Sequence, residues 1–429
     1  MSTSAPPTTF AVDGLTPSSI IEPSSIDELA AALAAANEQG AAVIPWGGGC
    51  HMALGNIPAR YDLALRTTKL DRVIEYEPAD LTITVEAGIT FGLLQLLLAE
   101  HGQFLPIDAP ADATVGGVLA ANVSGPSRHA YGLPRDWLIG CRVAHAGGTI
   151  SQGGGRVVKN VAGYDMPKLY VGSLGTLGVI VEATFKLAPV PAAQETLVVE
   201  CSSIEAAADL IFAADDRNLA LRAVALLRSD DAITRAAFWL GGPQAAVERT
   251  ARELGELSKG CQTERLIGDA SERRWAIIGA GLDPPSVSAT ENAILRVSLP
   301  PSAVAGFCEN ARDLCAFVAY PTTGLVLLSL HPGALPLPGV TPLPRERGRG
   351  AGGEGAPPAP SEQQPATIAA LRRAARDAGG SLVVTQAPVE VKQQIDVWGE
   401  VEALPVMRRV KEQFDPRGTL NPGRYIGVL

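Results

Sequence analysis

Trp46-Gly47-Gly48-Gly49-Cys50-His51 follows directly on Ala41-Ala42-Val43-Ile44-Pro45, a short apolar run typical of a buried strand. Consecutive glycines carry no β-carbon, so this loop can close tightly around an anion with successive backbone N–H groups pointing inward. A diphosphate suits such a loop, while an ordinary glycine turn explains the same residues without a ligand. The loop has neither the G-x-G-x-x-G spacing of a dinucleotide-binding turn nor the Gly-Lys-Ser/Thr ending of a P-loop.

Two later stretches share this shortage of side-chain bulk. The first comprises Asp108-Ala109-Pro110, the run from Ala113 to Asn122, and Ser124-Gly125-Pro126. The second runs from Val158 to Leu169 and continues from Gly172 to Ile180. Close helix packing explains the first of these equally well when it is taken alone. Glycine turns alone do not readily explain all three stretches, which together predict one long cofactor threading between two subdomains.

The order of predicted elements indicates an α+β fold. Ser25 and Glu28 form a capping-box pattern before an apolar helix that ends at Gly40, and short alternating strands follow from residue 81 onward. Residues 332–366 are rich in Pro and Gly and are predicted to be a disordered insertion. The expected divisions are a flexible N-terminus (1–14), a cofactor domain (15–190, with subdomains of about 15–70 and 71–190), an α+β domain (191–404) and a C-terminal segment (405–429).

Composition excludes several classes of protein. The formal net charge of the 429 residues is −10, which provides no basic face for a nucleic-acid backbone. The six cysteines form no C-x-x-C pair, so neither an iron–sulfur nor a zinc motif is present, and no metal site is expected. The polar, Pro-rich start predicts no signal peptide, and no apolar run reaches the roughly 18 residues that span a bilayer. We therefore expect a cytoplasmic protein without a transmembrane segment, peripheral at the inner membrane only through partners.

Four motifs carry a resemblance to a known family. They are Gly47-Gly48-Gly49, Ala113–Asn122, Lys159–Asp165 with Gly172–Ile180, and the terminal Asn421-Pro422-Gly423-Arg424. In this order they resemble the vanillyl-alcohol-oxidase-like, PCMH-type FAD-binding family, and within it the FAD-binding subunits of glycolate oxidases. The likeness covers roughly residues 15–190 and 405–429 and is specific because four motifs recur in sequence.

The resemblance implies a two-subdomain PCMH-type FAD domain, a cap domain formed by the middle of the chain, and a C-terminal segment that returns to the FAD domain. Gly47–His51 would hold the pyrophosphate, while Ala113–Asn122 and Gly172–Ile180 would line the flavin and ribityl chain. In relatives with covalent flavin, the attachment uses a histidine directly after paired glycines. Here Cys50 separates the glycines from His51, so we expect non-covalent FAD. The expected cofactor-binding residues are Pro45, Trp46, Gly47, Gly48, Gly49, Cys50, His51, Asp108, Ala113, Thr114, Val115, Gly116, Gly117, Ala120, Ala121, Asn122, Gly125, Gly172, Gly175, Thr176, Gly178, Val179, Ile180 and Asn421.

The same resemblance implies a complex with a second flavoprotein subunit and an iron–sulfur subunit that oxidises glycolate to glyoxylate. The catalytic residues are not identified by the sequence. The resemblance implies that related D-lactate-type enzymes bind a metal through paired histidines late in the chain. In this sequence only His331 lies beyond residue 145. Arg222, Arg228 and Arg424 are candidate cations for a substrate carboxylate, and the spacing selects none of them. Two alternatives remain open: a stand-alone FAD-dependent 2-hydroxy-acid dehydrogenase of the D-lactate type, and a non-catalytic FAD-carrying accessory subunit.

Overall fold

A computed structural model describes residues 7–155, 164–228, 233–279, 292–330 and 360–429. Two compact units account for the chain: Met1–Ala192 with Glu400–Leu429, and Ala193–Gly399. The Lys159–Gly163 part of the third predicted motif lies outside the described residues, as does most of the predicted insertion.

The first unit opens with a small parallel sheet. Its strands are β1 (Ser19–Ile21), β2 (Val43–Trp46) and β3 (Leu63–Arg66), in the order β1–β3–β2. Helix α1 (Ile26–Gln39) begins where Ser25 accepts a hydrogen bond from the Glu28 N–H, and it ends at Gly40, whose φ of 68° is left-handed. The capping box departs from expectation in one respect, because the Glu28 carboxylate accepts hydrogen bonds from Ser24 instead of Ser25.

An antiparallel sheet forms the rest of the first unit up to Ala192. Its strands are β4 (Val73–Glu77), β5 (Thr82–Glu86), β7 (Leu138–Ala144), β8 (Ile150–Gly154) and β9 (Val179–Lys186), in the order β4–β5–β9–β7–β8, while β6 (Gln103–Phe104) pairs with β10 (Ala188–Pro189). The helices are α2 (Phe91–Ala99), α3 (Val115–Ala121), α4 (Arg128–Tyr131), α5 (Pro134–Trp137) and α6 (Pro167–Tyr170). Val85, Leu94 and Phe185 are buried in the core that joins this sheet to its helices. Thr90 caps α2 by accepting from the Leu93 N–H.

The second unit is built on one long antiparallel sheet. Its strands are β11 (Ala193–Cys201), β12 (Leu221–Arg228), β13 (Thr234–Gly242), β14 (Thr263–Ile267), β15 (Ile294–Ser298), β16 (Cys315–Tyr320), β17 (Leu325–Leu330) and β18 (Ser381–Gln386), in the order β14–β11–β13–β12–β16–β17–β15–β18. The helices are α7 (Ile204–Asp215), α8 (Gln244–Leu257), α9 (Asp269–Gly279), α10 (Val304–Ala311), α11 (Pro360–Asp377) and α12 (Val389–Lys392). Phe238 and Phe317 lie in its larger core, and Trp275 of α9 stacks on Trp239 in a smaller one.

The chain then returns to the first unit through α13 (Leu404–Phe414). The segment after α13 joins the parallel sheet, because the Val43 N–H donates to the Thr419 carbonyl and the Asn421 N–H donates to the Val43 carbonyl. Leu420 is fully buried there. This return is what brings the terminal motif next to the strand that precedes the glycine loop.

Two sequence expectations about order need correction. Residues 7–14 are not a flexible tail, because Phe10 and Val12 are buried and the Phe10 ring packs edge-on against Trp46 at 5.1 Å. Residues 360–366 do not belong to an unstructured insertion, because α11 already begins at Pro360. Local composition is overridden in both cases. Buried apolar side chains order residues 7–14, and a helix includes residues 360–366. Within the described part of the chain, no helix is both long enough and apolar enough to span a membrane.

Candidate functional site

The glycine loop, the 113–121 stretch and the 174–180 stretch meet at one cavity of the first unit, with an empty volume of about 730 Å³. This volume includes space that is open to solvent. The lining residues are Pro45, Trp46, Gly47, Gly48, Gly49, Cys50, His51, Met52, Thr67, Ala113, Thr114, Gly116, Gly117, Ala120, Ala121, Leu174, Gly175, Gly178, Val179, Ile180, Asn421 and Arg424.

Close packing explains why the first loop needs glycine. A β-carbon at Gly47 would lie 2.0 Å from the Thr114 hydroxyl oxygen, and one at Gly48 would lie 2.0 Å from the Asp112 carbonyl oxygen. Gly49 has a φ of 81°, which L-residues with side chains rarely adopt. The glycines therefore serve first to bring the loop against the 112–114 backbone, and this close approach shapes one wall of the cavity.

The backbone of the same loop fits an anionic ligand. Among the described residues, none accepts a hydrogen bond from the N–H groups of Gly47, Gly48, Gly49 or His51. These N–H groups are therefore available to a ligand that supplies several acceptors. A diphosphate with several oxygens meets this requirement, and the residues present therefore fit the pyrophosphate of FAD.

The 172–180 stretch is held to α3 by backbone hydrogen bonds. The Gly172 N–H donates to the Leu119 carbonyl and the Leu174 N–H donates to the Ala120 carbonyl, both at 2.9 Å. Leu174 itself has a left-handed φ of 50°. A β-carbon at Gly178 would lie 2.5 Å from the Val143 side chain, so this glycine allows the loop to pass close to β7. Two of the three predicted stretches are thus fixed to each other by their main chains.

The terminal motif closes another part of the wall. The Asn421 side-chain N–H donates to the Leu174 carbonyl, and Asn421 has a left-handed φ of 48°. The buried guanidinium of Arg424 donates to the carbonyls of Met52 and Leu54, both at 2.7 Å. Burial lowers the pKa of Arg424 to about 10, so the side chain stays charged at neutral pH. Arg424 therefore anchors the chain just after the glycine loop and brings a positive charge to the cavity.

The pKa shifts of Cys50 and His51 both favour the neutral side chain. Cys50 is exposed, but partial burial of its thiol, with a further contribution from the charge of Asp112, raises the pKa of that thiol. Burial lowers the pKa of His51. The Cys50 sulfur also lies 3.9 Å from the Gly48 carbonyl oxygen, which it approaches as a donor. A protonated thiol is a poor nucleophile, so this environment favours a lining role for Cys50.

Some predicted binding residues are not among those that line the cavity. Asp108 accepts hydrogen bonds from the Ser127 N–H and hydroxyl, and Gly125 packs against Asp108. Thr176 is buried, and its hydroxyl donates to the Ser173 carbonyl. The remaining members of this set are Val115, which is in the core, Asn122, which caps the C-terminus of α3, and Gly172, which is bonded to Leu119. These residues support the wall-forming segments, each through contacts inside the protein.

Four lining residues are absent from the set of expected cofactor-binding residues: Met52, Thr67, Leu174 and Arg424, the last of which was expected only as a candidate cation for the substrate carboxylate. A signal existed for Leu174, which lies between predicted glycines, and for Arg424, which ends the terminal motif. Met52 and Thr67 carry no local signal. Of the other candidate cations, Arg222 is buried in the second unit, donates to Gln194 and lies over the Trp239 ring at 4.0 Å, while Arg228 donates to Thr234.

The cofactor assignment agrees with comparison to known proteins. Residues 17–154 match the family described as FAD binding domain, and residues 397–425 match the family described as FAD linked oxidases, C-terminal domain. The chain is 27% identical, over 95% of its length and 88% of the relative's, to the glycolate oxidase subunit GlcD of Bacillus subtilis (strain 168).

Two other relatives match shorter regions. The glycolate oxidase subunit GlcE of Escherichia coli (strain K12) is 38% identical over 32% of this chain and 40% of its own length. A D-2-hydroxyglutarate dehydrogenase of Xanthomonas citri pv. viticola is 32% identical over 48% of this chain and 44% of its own length. In each case the chain spans less than half of the relative that it matches.

Solved structures agree on the fold. An alkyldihydroxyacetonephosphate synthase superposes with a TM-score of 0.65 at 16% identity, covering 95% of this chain and 77% of that one. At this identity the likeness concerns the fold alone. The expected resemblance, the PCMH-type α+β fold and FAD as the cofactor are therefore confirmed, and the chain is an FAD-dependent oxidoreductase.

Proposed function

We propose that this FAD-dependent oxidoreductase is the FAD-binding subunit of a glycolate oxidase complex, which oxidises glycolate to glyoxylate and passes electrons on through an iron–sulfur partner. The observation that supports the proposal most strongly is the meeting of three side-chain-poor stretches and the terminal motif at one cavity. The similarity to GlcD along 95% of the chain, and to GlcE over 32% of it, supports the choice of complex.

Within this proposal the protein groups have separate tasks. The N–H groups of Gly47–His51 bind the diphosphate of FAD, while the small residues from Gly116 to Ala121 and from Gly175 to Ile180 lie against the ribityl chain and flavin. Arg424 balances part of the diphosphate charge. The flavin supplies the hydride acceptor for oxidation of a 2-hydroxy acid, and it is bound non-covalently because Cys50 occupies the position directly after the glycines.

Oxidation of the acid requires protein groups other than those that hold the cofactor. Oxidation of a 2-hydroxy acid needs a base for the hydroxyl proton and a cation for the carboxylate. Arg222 is already engaged with Gln194 and Trp239, and Arg424 with two backbone carbonyls. Within the proposal, this supports a division of labour in which a partner flavoprotein subunit contributes to substrate oxidation.

A second function is favoured by a specific relative. The match to a D-2-hydroxyglutarate dehydrogenase over 48% of the chain supports a stand-alone dehydrogenase acting on a D-2-hydroxy acid. A third reading, a non-catalytic FAD-carrying accessory subunit, is supported by the scarcity of late histidines, since His331 alone lies beyond residue 145. The three readings share the cofactor and differ in which chain carries out the chemistry.

One experiment separates these readings. The chain is purified alone, its visible spectrum is recorded, and glycolate, D-lactate or D-2-hydroxyglutarate is added without oxygen. Bleaching of the flavin by the chain alone supports a dehydrogenase with its own active site. A yellow protein that bleaches with glycolate only after addition of its partner subunits supports the complex. Flavin that stays oxidised in the isolated chain, while the complex oxidises glycolate equally well when this chain is prepared without FAD, argues against the proposed role.

A further inference from the structure

Lys411 of α13 is a buried lysine whose ammonium group is fully engaged. Its Nζ donates to the Thr176 carbonyl at 2.9 Å, to the Leu420 carbonyl at 2.9 Å and to the Asp415 carboxylate at 2.6 Å. The side chain is 9% exposed and that of Asp415 is not exposed at all. An ammonium group has three N–H donors, so this arrangement uses every one of them.

Asp415 completes the same arrangement from the other side. One carboxylate oxygen accepts from the Thr419 N–H, and the other accepts from the Leu420 N–H as well as from Lys411. Lys411 and Asp415 therefore tie together two loops that are far apart in sequence: 172–180 through Thr176, and 415–421 through Leu420.

Both of these loops contribute to the cavity wall. Thr176 lies directly after Gly175, and Leu420 lies directly before Asn421, and both neighbours line the cavity. The Asn421 side chain adds a second link by donating to the Leu174 carbonyl. The position of the Lys411 ammonium thus sets how far apart the two parts of the wall stand.

The buried Lys411–Asp415 ion pair is better explained by the loop geometry that it fixes than by a gain in stability. Burial lowers the pKa of Lys411, and the nearby Asp415 carboxylate counteracts the shift. Removing two charges from water is costly, and a buried ion pair of this kind often stabilises a fold no more than apolar residues of similar volume. An ion pair at this place is better explained by a requirement for one defined arrangement of the two loops.

We propose that Lys411 is a positioning residue for the flavin: its ammonium group fixes the 172–180 loop against the 415–421 segment and so sets the width of the FAD cavity. This inference rests on the assignment of the cavity as the FAD site. Lys411 does not line the cavity and acts through the loops that it joins.

The test replaces Lys411 with methionine, which is unbranched and only one heavy atom shorter, and which removes all three donors. The control is Arg409→Met, which removes a cation from the exposed face of the same helix. For K411M we expect the Kd for FAD to rise roughly tenfold or more. At saturating FAD we also expect a shifted or less structured visible flavin band, which a loss of stability alone would not produce. A K411M protein with the affinity and flavin spectrum of the unaltered chain and of R409M would overturn the inference.

If K411M does not fold, a second measurement on the unaltered full chain tests the role of Lys411. Hydrogen–deuterium exchange is compared with and without added FAD. Joint protection of residues 172–180 and 411–424 is expected alongside protection of 47–51. Protection at 47–51 without any change at 411–424 overturns the role of Lys411 while leaving the cavity assignment intact. No protection at 47–51 removes the cavity assignment and this inference with it.

Discussion

Gly48 lies so close to Asp112 that a β-carbon at position 48 would be 2.0 Å from the Asp112 carbonyl oxygen. No side-chain rotation relieves such a contact, because both atoms are bonded directly to the main chain. The loop and Ala113 and Thr114, which follow Asp112 directly, form adjoining parts of the cavity wall. A larger residue must therefore displace one of them, and this gives the first prediction.

We predict that Gly48→Val abolishes retention of FAD. The displaced loop can no longer present its N–H groups to the diphosphate, and those interactions depend on preformed geometry. The measurement is the ratio of visible flavin absorbance to protein absorbance after gel filtration. Full flavin occupancy in G48V would remove the pyrophosphate assignment.

Gly147→Val provides the matched control for this substitution. Gly147 is an exposed glycine in the turn between β7 and β8 of the same unit, and nothing lies within 4 Å of a β-carbon placed there. We expect G147V to keep its flavin. Loss of flavin from both variants would show that the first unit tolerates no such change and that the position of Gly48 is not special.

A second prediction concerns the anchor formed by Arg424. Arg424→Met removes the donors for the Met52 and Leu54 carbonyls, which should lower the free energy of unfolding by about 1–3 kcal/mol and weaken FAD binding. Urea unfolding and FAD titration measure the two effects. Arg417→Met is the control, because exposed Arg417 donates to the Asn37 carbonyl at the surface. Equal effects in the two variants would contradict the anchoring role.

A third prediction follows from the raised pKa of the Cys50 thiol. Burial and the Asp112 carboxylate both disfavour the thiolate, so less thiolate is present at neutral pH than for an ordinary cysteine. The rate of alkylation at Cys50 should therefore continue to rise above pH 9. Asp112→Asn removes the negative charge, lowers that pKa and should speed alkylation at pH 8. Mass spectrometry of the labelled peptide gives the rates, with Cys261, which is exposed as Cys50 is, as an internal reference.

The same labelling also reports on the cofactor. Cys50 lines the cavity, so bound FAD should slow its alkylation while leaving Cys261 unaffected. Asp80→Asn, a change at an exposed carboxylate, serves as the control for Asp112→Asn. Unchanged alkylation in D112N, or equal acceleration in D80N, would show that Asp112 does not govern the thiol.

Features with local causes could be predicted from the sequence. The ends of α1 are set by Ser25 and Gly40, residues whose conformational preferences act within a few positions of where they stand. The glycine loop after β2 is of the same kind, because missing β-carbons are visible directly in the sequence. In both cases the signal and the structure lie within a few residues of each other.

Contacts between distant segments could not be predicted in this way. Arg424 and Met52 are 372 positions apart, and nothing near Met52 marks it as part of the cavity. Side-chain direction was equally hidden, since Thr176 lies in the correct loop while its hydroxyl turns to Ser173. The sequence can therefore indicate which segments approach the cofactor, and folding decides which atoms of those segments face it.

The last prediction concerns Asn421, where two effects can be separated. Its side chain donates to the Leu174 carbonyl, and its φ of 48° is left-handed. Asn421→Gly removes the amide and tolerates the φ, whereas Asn421→Ala removes the amide and adds strain of about 1–2 kcal/mol. We expect both variants to bind FAD more weakly, because the 174–180 wall loses a link in each. In urea unfolding, N421A should be less stable than N421G by about 1 kcal/mol. Equal stabilities would rule out backbone strain at this position, and unaltered FAD affinity in N421G would show that the amide does not hold the wall.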